Sequence, residues 1–198
     1  MPTPDRTSLD EIVQAGHDIL ESAGIARLTM QAVADRVGVR PPSLYKRVRS
    51  RDDLVGLIAE ATARDLGELV ASVVASGDPR RDLAELARAL RAFAHARPAG
   101  YQLIFTPGPD IARPSLDALA RATAPVLRVA ADLAGEQHML EAARTITAWA
   151  NGFISMELAG VFELGGDIDR AFEFGIACLT DALDRPPAEG EAGRQRRG

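Results

Sequence analysis

The chain of 198 residues has one cysteine (Cys178), one lysine (Lys46) and one tryptophan (Trp149). A lone cysteine excludes an intrachain disulfide framework and a thiolate-rich zinc site. No apolar run reaches the roughly 18 residues that a membrane span needs, because Arg or Asp interrupts each candidate. No basic segment followed by an apolar stretch opens the chain, so a secretory signal is not expected and a cytoplasmic protein is the default. Period-two alternation is not sustained anywhere, and strands are not required. His17, His95 and His138 are far apart with no matching carboxylates, so no metal is expected. The sequence has no Walker loop, no GxGxxG and no Gly-x-Ser-x-Gly, and therefore no cofactor and no enzymatic activity are expected either.

What remains is ordinary for a protein with a real core: 46% hydrophobic and 26% charged residues, with a net charge of −5. Helical stripes separated by Gly and Pro predict an all-α fold of about nine helices. Ser8 to Ala23 carries Leu9, Ile12, Val13, Ile19 and Leu20, with Ser8 and Glu11 placed as a capping box and Gly24 as the stop. Met30 to Val37 follows Thr29 and ends at Gly38. Pro41 and Pro42 open a short segment to Val48. A longer helix runs from about 51 to 75, with Asp52 and Asp53 in its first turn. Further helices are expected at about 80–96, 99–105, 114–134, 137–164 and 168–184, with Pro125 kinking or dividing one of them. Asp167 reads as a helix cap rather than part of a calcium loop. The turn at 106–109 punctuates the chain, and 185–198 is expected to be a disordered tail.

Charge is concentrated at one place. Arg36, Arg40, Lys46, Arg47, Arg49 and Arg51 fall within sixteen residues that hold no acidic side chain, whereas residues 1–58 as a whole are neutral. The net negative charge lies entirely beyond residue 58. A focused basic segment on an acidic chain favours phosphate contact there and disfavours it elsewhere. A solvated helix face is the alternative that charge alone leaves open. Two short helices around Gly38, with Val33, Val37, Val39, Leu44 and Val48 as interior and Ala34 at the crossing, have the layout of a helix-turn-helix.

The run from Thr29 to Leu54, with Ala34-x-x-x-Gly38-Val39 followed by Ser43-Leu44-Tyr45, resembles the DNA-binding head of the TetR family of bacterial transcriptional regulators. The resemblance covers about residues 8–56 in motif detail. Trp149-x-x-Gly152-Phe153 is similar to a signature of one TetR-family C-terminal domain type, with Asn151 where histidine is usual. Arg47-Val48 replaces a frequent His-Phe, Arg40 stands where serine is common, and Arg51 where lysine is. The resemblance implies a DNA-binding head (1–56) and a ligand-binding and dimerisation body (57–184). Within the head, it implies that Thr29 caps the second helix beside a phosphate and that Tyr45 donates its phenol to a phosphate. Arg40 and Lys46 would reach guanine or phosphate, Arg51 would bind backbone phosphate, and Pro41 and Ser43 would touch thymine methyls or sugar-phosphate.

For the body, Phe93, Tyr101, Phe105, Met139, Trp149, Phe153 and Met156 are candidates to line an apolar effector cavity, or else they pack as core. The resemblance implies a mainly hydrophobic small-molecule effector and a homodimer built on the last two long helices. The interface candidates are Gly152, Ser155, Leu158, Ala159, Phe162, Ile176, Leu179 and Leu183. Such a dimer would read a partly palindromic double-stranded operator with half-sites about 34–36 Å apart. A ligand-released repressor is the function expected. The alternative is a helical small-molecule-binding or interaction protein without sequence-specific DNA recognition.

Overall fold

The computed structural model of the chain describes residues 7–73, 76–105 and 114–184. The expected turn at 106–109 and the expected tail at 185–198 lie outside these residues. Nine α-helices and no strands occur among the described residues: α1 (Leu9–Ala23), α2 (Met30–Val37), α3 (Pro41–Leu44), α4 (Arg51–Val73), α5 (Pro79–Ala96), α6 (Pro98–Phe105), α7 (Leu116–Ala134), α8 (Met139–Leu158) and α9 (Ile168–Leu183). Short 3-10 turns stand before α2 and α8. Among the described residues, no helix is long and apolar enough to cross a membrane.

Local chemistry sets the boundaries. The Ser8 hydroxyl accepts the Glu11 N–H at 3.1 Å while the Glu11 carboxylate accepts the Ser8 N–H at 2.7 Å, a reciprocal cap on α1. Gly38, at φ 73°, closes α2: its N–H reaches Asp35 O and the Val39 N–H reaches Ala34 O at 3.0 Å. Asp167 caps α9 through the Arg170 N–H at 3.1 Å. Two expectations are corrected. The helix predicted at 137–164 stops at Leu158, where Gly160, at φ 68°, turns the chain and Val161 N–H reaches back to Met156 O. Of the kink or division expected at Pro125, division does not occur: Pro125 lies buried within α7, which runs through it as one element.

The chain forms two compact units. One comprises residues 1–72 with 89–123, the other 73–88 with 124–198. In the first, Ile12, Leu20, Leu28, Val33, Leu44, Val48, Leu54 and Ile58 form a core with no side chain more than 1% exposed. At roughly 25 cal/mol per Å² of apolar surface, burial of this kind stabilises helices too short to hold alone. Close approach is part of that packing: a β-carbon at Gly16 would come within 2.7 Å of Ile58 Cδ1. In the second unit, Ile146, Ile154, Phe172 and Ile176 are buried. Arg88 binds Glu173 at 2.6 Å, and Arg80 binds Asp184 at 2.8 Å and also pairs with Asp181, so α5 is tied to α9 at two places.

Candidate nucleic-acid interface

α1, α2, α3 and the start of α4 build the head. α2 contacts both α1 and α3, and its inner face (Met30, Val33, Ala34) is buried while Gln31 and Asp35 face outward. Thr29 is extended (φ −120°, ψ 154°) and exposed, and its hydroxyl accepts the Ala32 N–H at 3.1 Å. The capping half of its expected role is therefore present. One orphan amide of α2 is satisfied, and the positive end of the helix faces solvent, where an anion is favoured.

α3 is only one turn long, started by Pro41 and Pro42, and the chain continues through residues 45–47 as a turn whose Arg47 and Val48 N–H groups both reach Leu44 O at 2.9 Å. Leu44 and Val48, four residues apart, are fully buried and anchor this short element. Their neighbours are thereby turned outward. Arg40, Ser43, Tyr45 and Lys46 are exposed and Pro41 is half-buried. Tyr45 is 53% exposed, so it is not a core residue of the head.

The basic segment is less uniform than its sequence. Arg36 pairs with Asp18 at 2.7 Å and Arg49 with Asp53 at 3.3 Å. The Asp18 carboxyl is held below its usual range by the donating amide of Gln14 and by the Arg36 guanidinium. Asp53 is lowered by the Arg49 backbone N–H and then by its side chain. Arg51 donates from Nε to Leu28 O and from Nη2 to Ile25 O, each at 2.7 Å, so much of its fork is spent inside the protein. Arg40 and Lys46 have no side-chain partner among the described residues. The side chains of the run without a partner thus include one at each end of α3, Arg40 before it and Lys46 after it.

The body residues fall into separate groups. Phe93, Tyr101 and Phe105 belong to the first unit; Met139, Trp149, Phe153 and Met156 belong to the second. Tyr101 is 1% exposed, with its ring 4.6 Å from that of Phe105, and burial pushes its phenol well above the ordinary value. Trp149 stacks on Phe172 at 5.2 Å, and Phe153 lies 5.1 Å from Phe172 and 5.0 Å from Phe162. Met156 is 48% exposed, whereas Trp149 and Phe153 are partly buried.

Of the interface candidates, Gly152 and Ala159 are exposed, and Ser155, Leu158, Phe162, Leu179 and Leu183 are partly buried. Ile176 is corrected: it is 5% exposed, in line with Phe172 and Thr180 on the inner face of α9. The outward apolar residue of that helix is Phe174, 71% exposed, which sequence reasoning missed. α9 is apolar on more than one side, so periodicity could not choose the inner one.

A one-turn helix flanked by the basic residues Arg40 and Lys46, presented beside a short capped helix on a packed helical base, has the form of a helix-turn-helix DNA-binding head. Comparison with known proteins agrees. Residues 12–58 match the family model for bacterial regulatory proteins of the tetR family, and residues 83–179 match a tetracyclin repressor-like C-terminal domain. An HTH-type transcriptional regulator of Mycobacterium tuberculosis, Rv0681, is 29% identical over 94% of this chain and 86% of its own length. The crystal structure of a protein designated SCO4313 superposes with a TM-score of 0.74 at 28% identity, over 87% of this chain and 95% of that one. The fold is shared with BioQ, solved with its double-stranded DNA operator: TM-score 0.64, 24% identity, 91% and 99% coverage. The chain belongs to the TetR family of bacterial regulatory proteins and is a DNA-binding, helix-turn-helix transcriptional regulator.

Proposed function

We propose that this regulator is a homodimeric repressor that holds a partly palindromic operator and is released by a small, mainly hydrophobic effector. One observation carries the DNA-contact assignment. Arg40, Tyr45 and Lys46 face solvent around α3, while Arg51 gives two donors to carbonyls inside the head and the exposed Arg36 and Arg49 pair with Asp18 and Asp53. Arg40 and Lys46 are assigned to base edges or phosphate, Tyr45 and Thr29 to backbone phosphate, and Pro41 and Ser43 to thymine methyls or sugar-phosphate. The head is assigned to residues 1–56 and the body to 57–184. Effector contacts are sought first at the Tyr101–Phe105 pair and at the Trp149–Phe153 group, each taken by itself. Release requires that the effector bind a non-operator state more tightly than the operator-binding one.

Fluorescence anisotropy against duplexes that the protein itself selects from a random pool, with a scrambled control at several salt concentrations, tests this reading. Lys46→Ala is expected to lose about 1–3 kcal/mol of discrimination at one base pair if it reads a base. Tyr45→Phe is expected to weaken binding to all sequences alike. Equal binding to selected and scrambled duplexes would instead favour a helical binding protein without sequence recognition.

A further inference from the structure

We infer that Arg51 is a positioning residue that clamps the entry to α2 in its DNA-binding place, rather than one of the head's phosphate contacts. This rests on the proposed placement of Thr29 against backbone phosphate. The sequence resemblance puts Arg51 where a lysine commonly stands, and a lysine there would act as a mobile point charge. The geometry of the arginine is different. Its Nε–H and Nη2–H point to two carbonyls 23 and 26 residues earlier, Leu28 O and Ile25 O, both at 2.7 Å in a partly buried setting. Two parallel donations from one rigid plane need a guanidinium; an ammonium lacks that fork.

The two carbonyls are not arbitrary. Ile25–Arg27 is a single 3-10 turn launched from Gly24, whose φ of 78° and ψ of 167° suit glycine alone. Ile25 O already accepts the Leu28 N–H, at 3.3 Å, and Leu28 is fully buried. The next residue is Thr29, the cap of α2. Arg51 therefore ties the first residue of α4 to the residue immediately before that cap. It also gives the Leu28 carbonyl a donor and the Ile25 carbonyl a second one. Because Leu44 and Val48 fix α3 to the same core, the clamp sets the spacing between the α2 N-terminus and the recognition turn. That spacing must match the distance between a phosphate and a base edge on the duplex. Asp52, with its carboxylate 3.7 Å from Arg51 Nη1, lies on the remaining side of the guanidinium and further lowers its availability to an anion.

Arg51→Lys and Arg51→Met, compared with the wild-type chain, test the inference with three readouts: amide deuterium exchange in the free protein, affinity for a duplex selected by the wild type, and the slope of log affinity against log salt. Both variants are expected to exchange faster over residues 28–33, and both to bind roughly tenfold more weakly. The salt slope is expected to stay at the wild-type value, because no phosphate contact is lost. A purely stabilising residue would lower the melting temperature without changing the affinity of the folded fraction measured in the cold. Wild-type affinity in Arg51→Lys, together with a slope reduced by about 0.9 in Arg51→Met, would overturn the inference, as would unchanged exchange over residues 28–33. Should Arg51→Met fail to fold, Arg51→Lys decides alone: wild-type exchange and affinity count against the clamp. Failure of the wild type itself to discriminate sequences would strike the operator reading, while the exchange measurement would still judge the clamp.

Discussion

The indole of Trp149 lies against the bare backbone of Gly175: a β-carbon there would come within 2.8 Å of Cε2 and closer still to Cζ2. The ring cannot retreat easily, because Phe172 stacks on it and Phe153 packs beside it. Gly175→Ala is therefore expected to destabilise the protein by about 1–3 kcal/mol, the usual cost of forcing a methyl into a packed site. Trp149 is the sole tryptophan, so the same substitution should shift the intrinsic emission spectrum. An unchanged melting curve and spectrum would show that the ring is loosely held.

Glu21 links α1 to α6. Its two carboxylate oxygens accept the N–H groups of Ala99 at 3.1 Å and Gly100 at 2.8 Å, filling the N-terminal end of α6 with negative charge. Gly100 is bare because a β-carbon would stand 3.0 Å from that carboxylate and 3.1 Å from Thr62 Cγ2. Glu21→Ala is expected to cost about 1 kcal/mol, as loss of a helix cap does. Glu21→Gln, which keeps one acceptor oxygen, should cost less. Urea midpoints at constant m-value measure both; equal midpoints for all three proteins would refute the cap.

Acid should loosen the head through Asp18. Hydrogen bonds from Gln14 and Arg36 lower its folded-state pKa below the ordinary 3.8. A carboxyl depressed on folding contributes stability that is present above the unfolded value and is lost as pH falls through the folded one. The loss is thus expected below about pH 4, and none near neutrality. The carboxylate is partly exposed, so the effect is modest and salt-sensitive. Asp18→Asn should flatten that part of the stability–pH curve, and an identical acid limb in variant and wild type would contradict the assignment.

Helix positions and the exposed basic segment around α3 were legible because they depend on neighbours in sequence. Capping by Ser8, Thr29 and Asp167, the stop at Gly38 and the burial of Leu44 and Val48 all follow from residues three to five apart. The end of α8 was not legible: apolar residues continue past Leu158 through Val161 and Phe162, and only the turn at Gly160 shows that the periodicity has passed into a connection. The hydrogen bonds of Arg51 were hidden for another reason. Its acceptors are backbone carbonyls more than twenty residues away, and carbonyls leave no mark in a sequence. Ile176 was misplaced because α9 is apolar on two sides, and packing partners decide which side turns inward.

The outward side of α8 carries Ala148, Gly152, Met156 and Ala159 at intervals of three and four, and α9 adds exposed Phe174 and Cys178. Among the described residues, and apart from its chain neighbours and its own helix backbone, nothing lies within 4 Å of a β-carbon built at Gly152. Gly152→Leu should therefore fold well within one chain, and gains about 0.8 kcal/mol of helix propensity. If two copies pack through this side, the new side chain meets the partner where helices approach most closely, and Phe174→Asp places an unpaired charge in the same contact. Both variants are expected to sediment as monomers at concentrations where the wild type is dimeric. Operator affinity should fall by a hundredfold or so, because the second half-site is no longer met at millimolar effective concentration. A single half-site duplex should bind wild type and variants alike, which separates loss of pairing from damage to the head. Wild-type sedimentation and binding in both variants would place the dimer contact on another face.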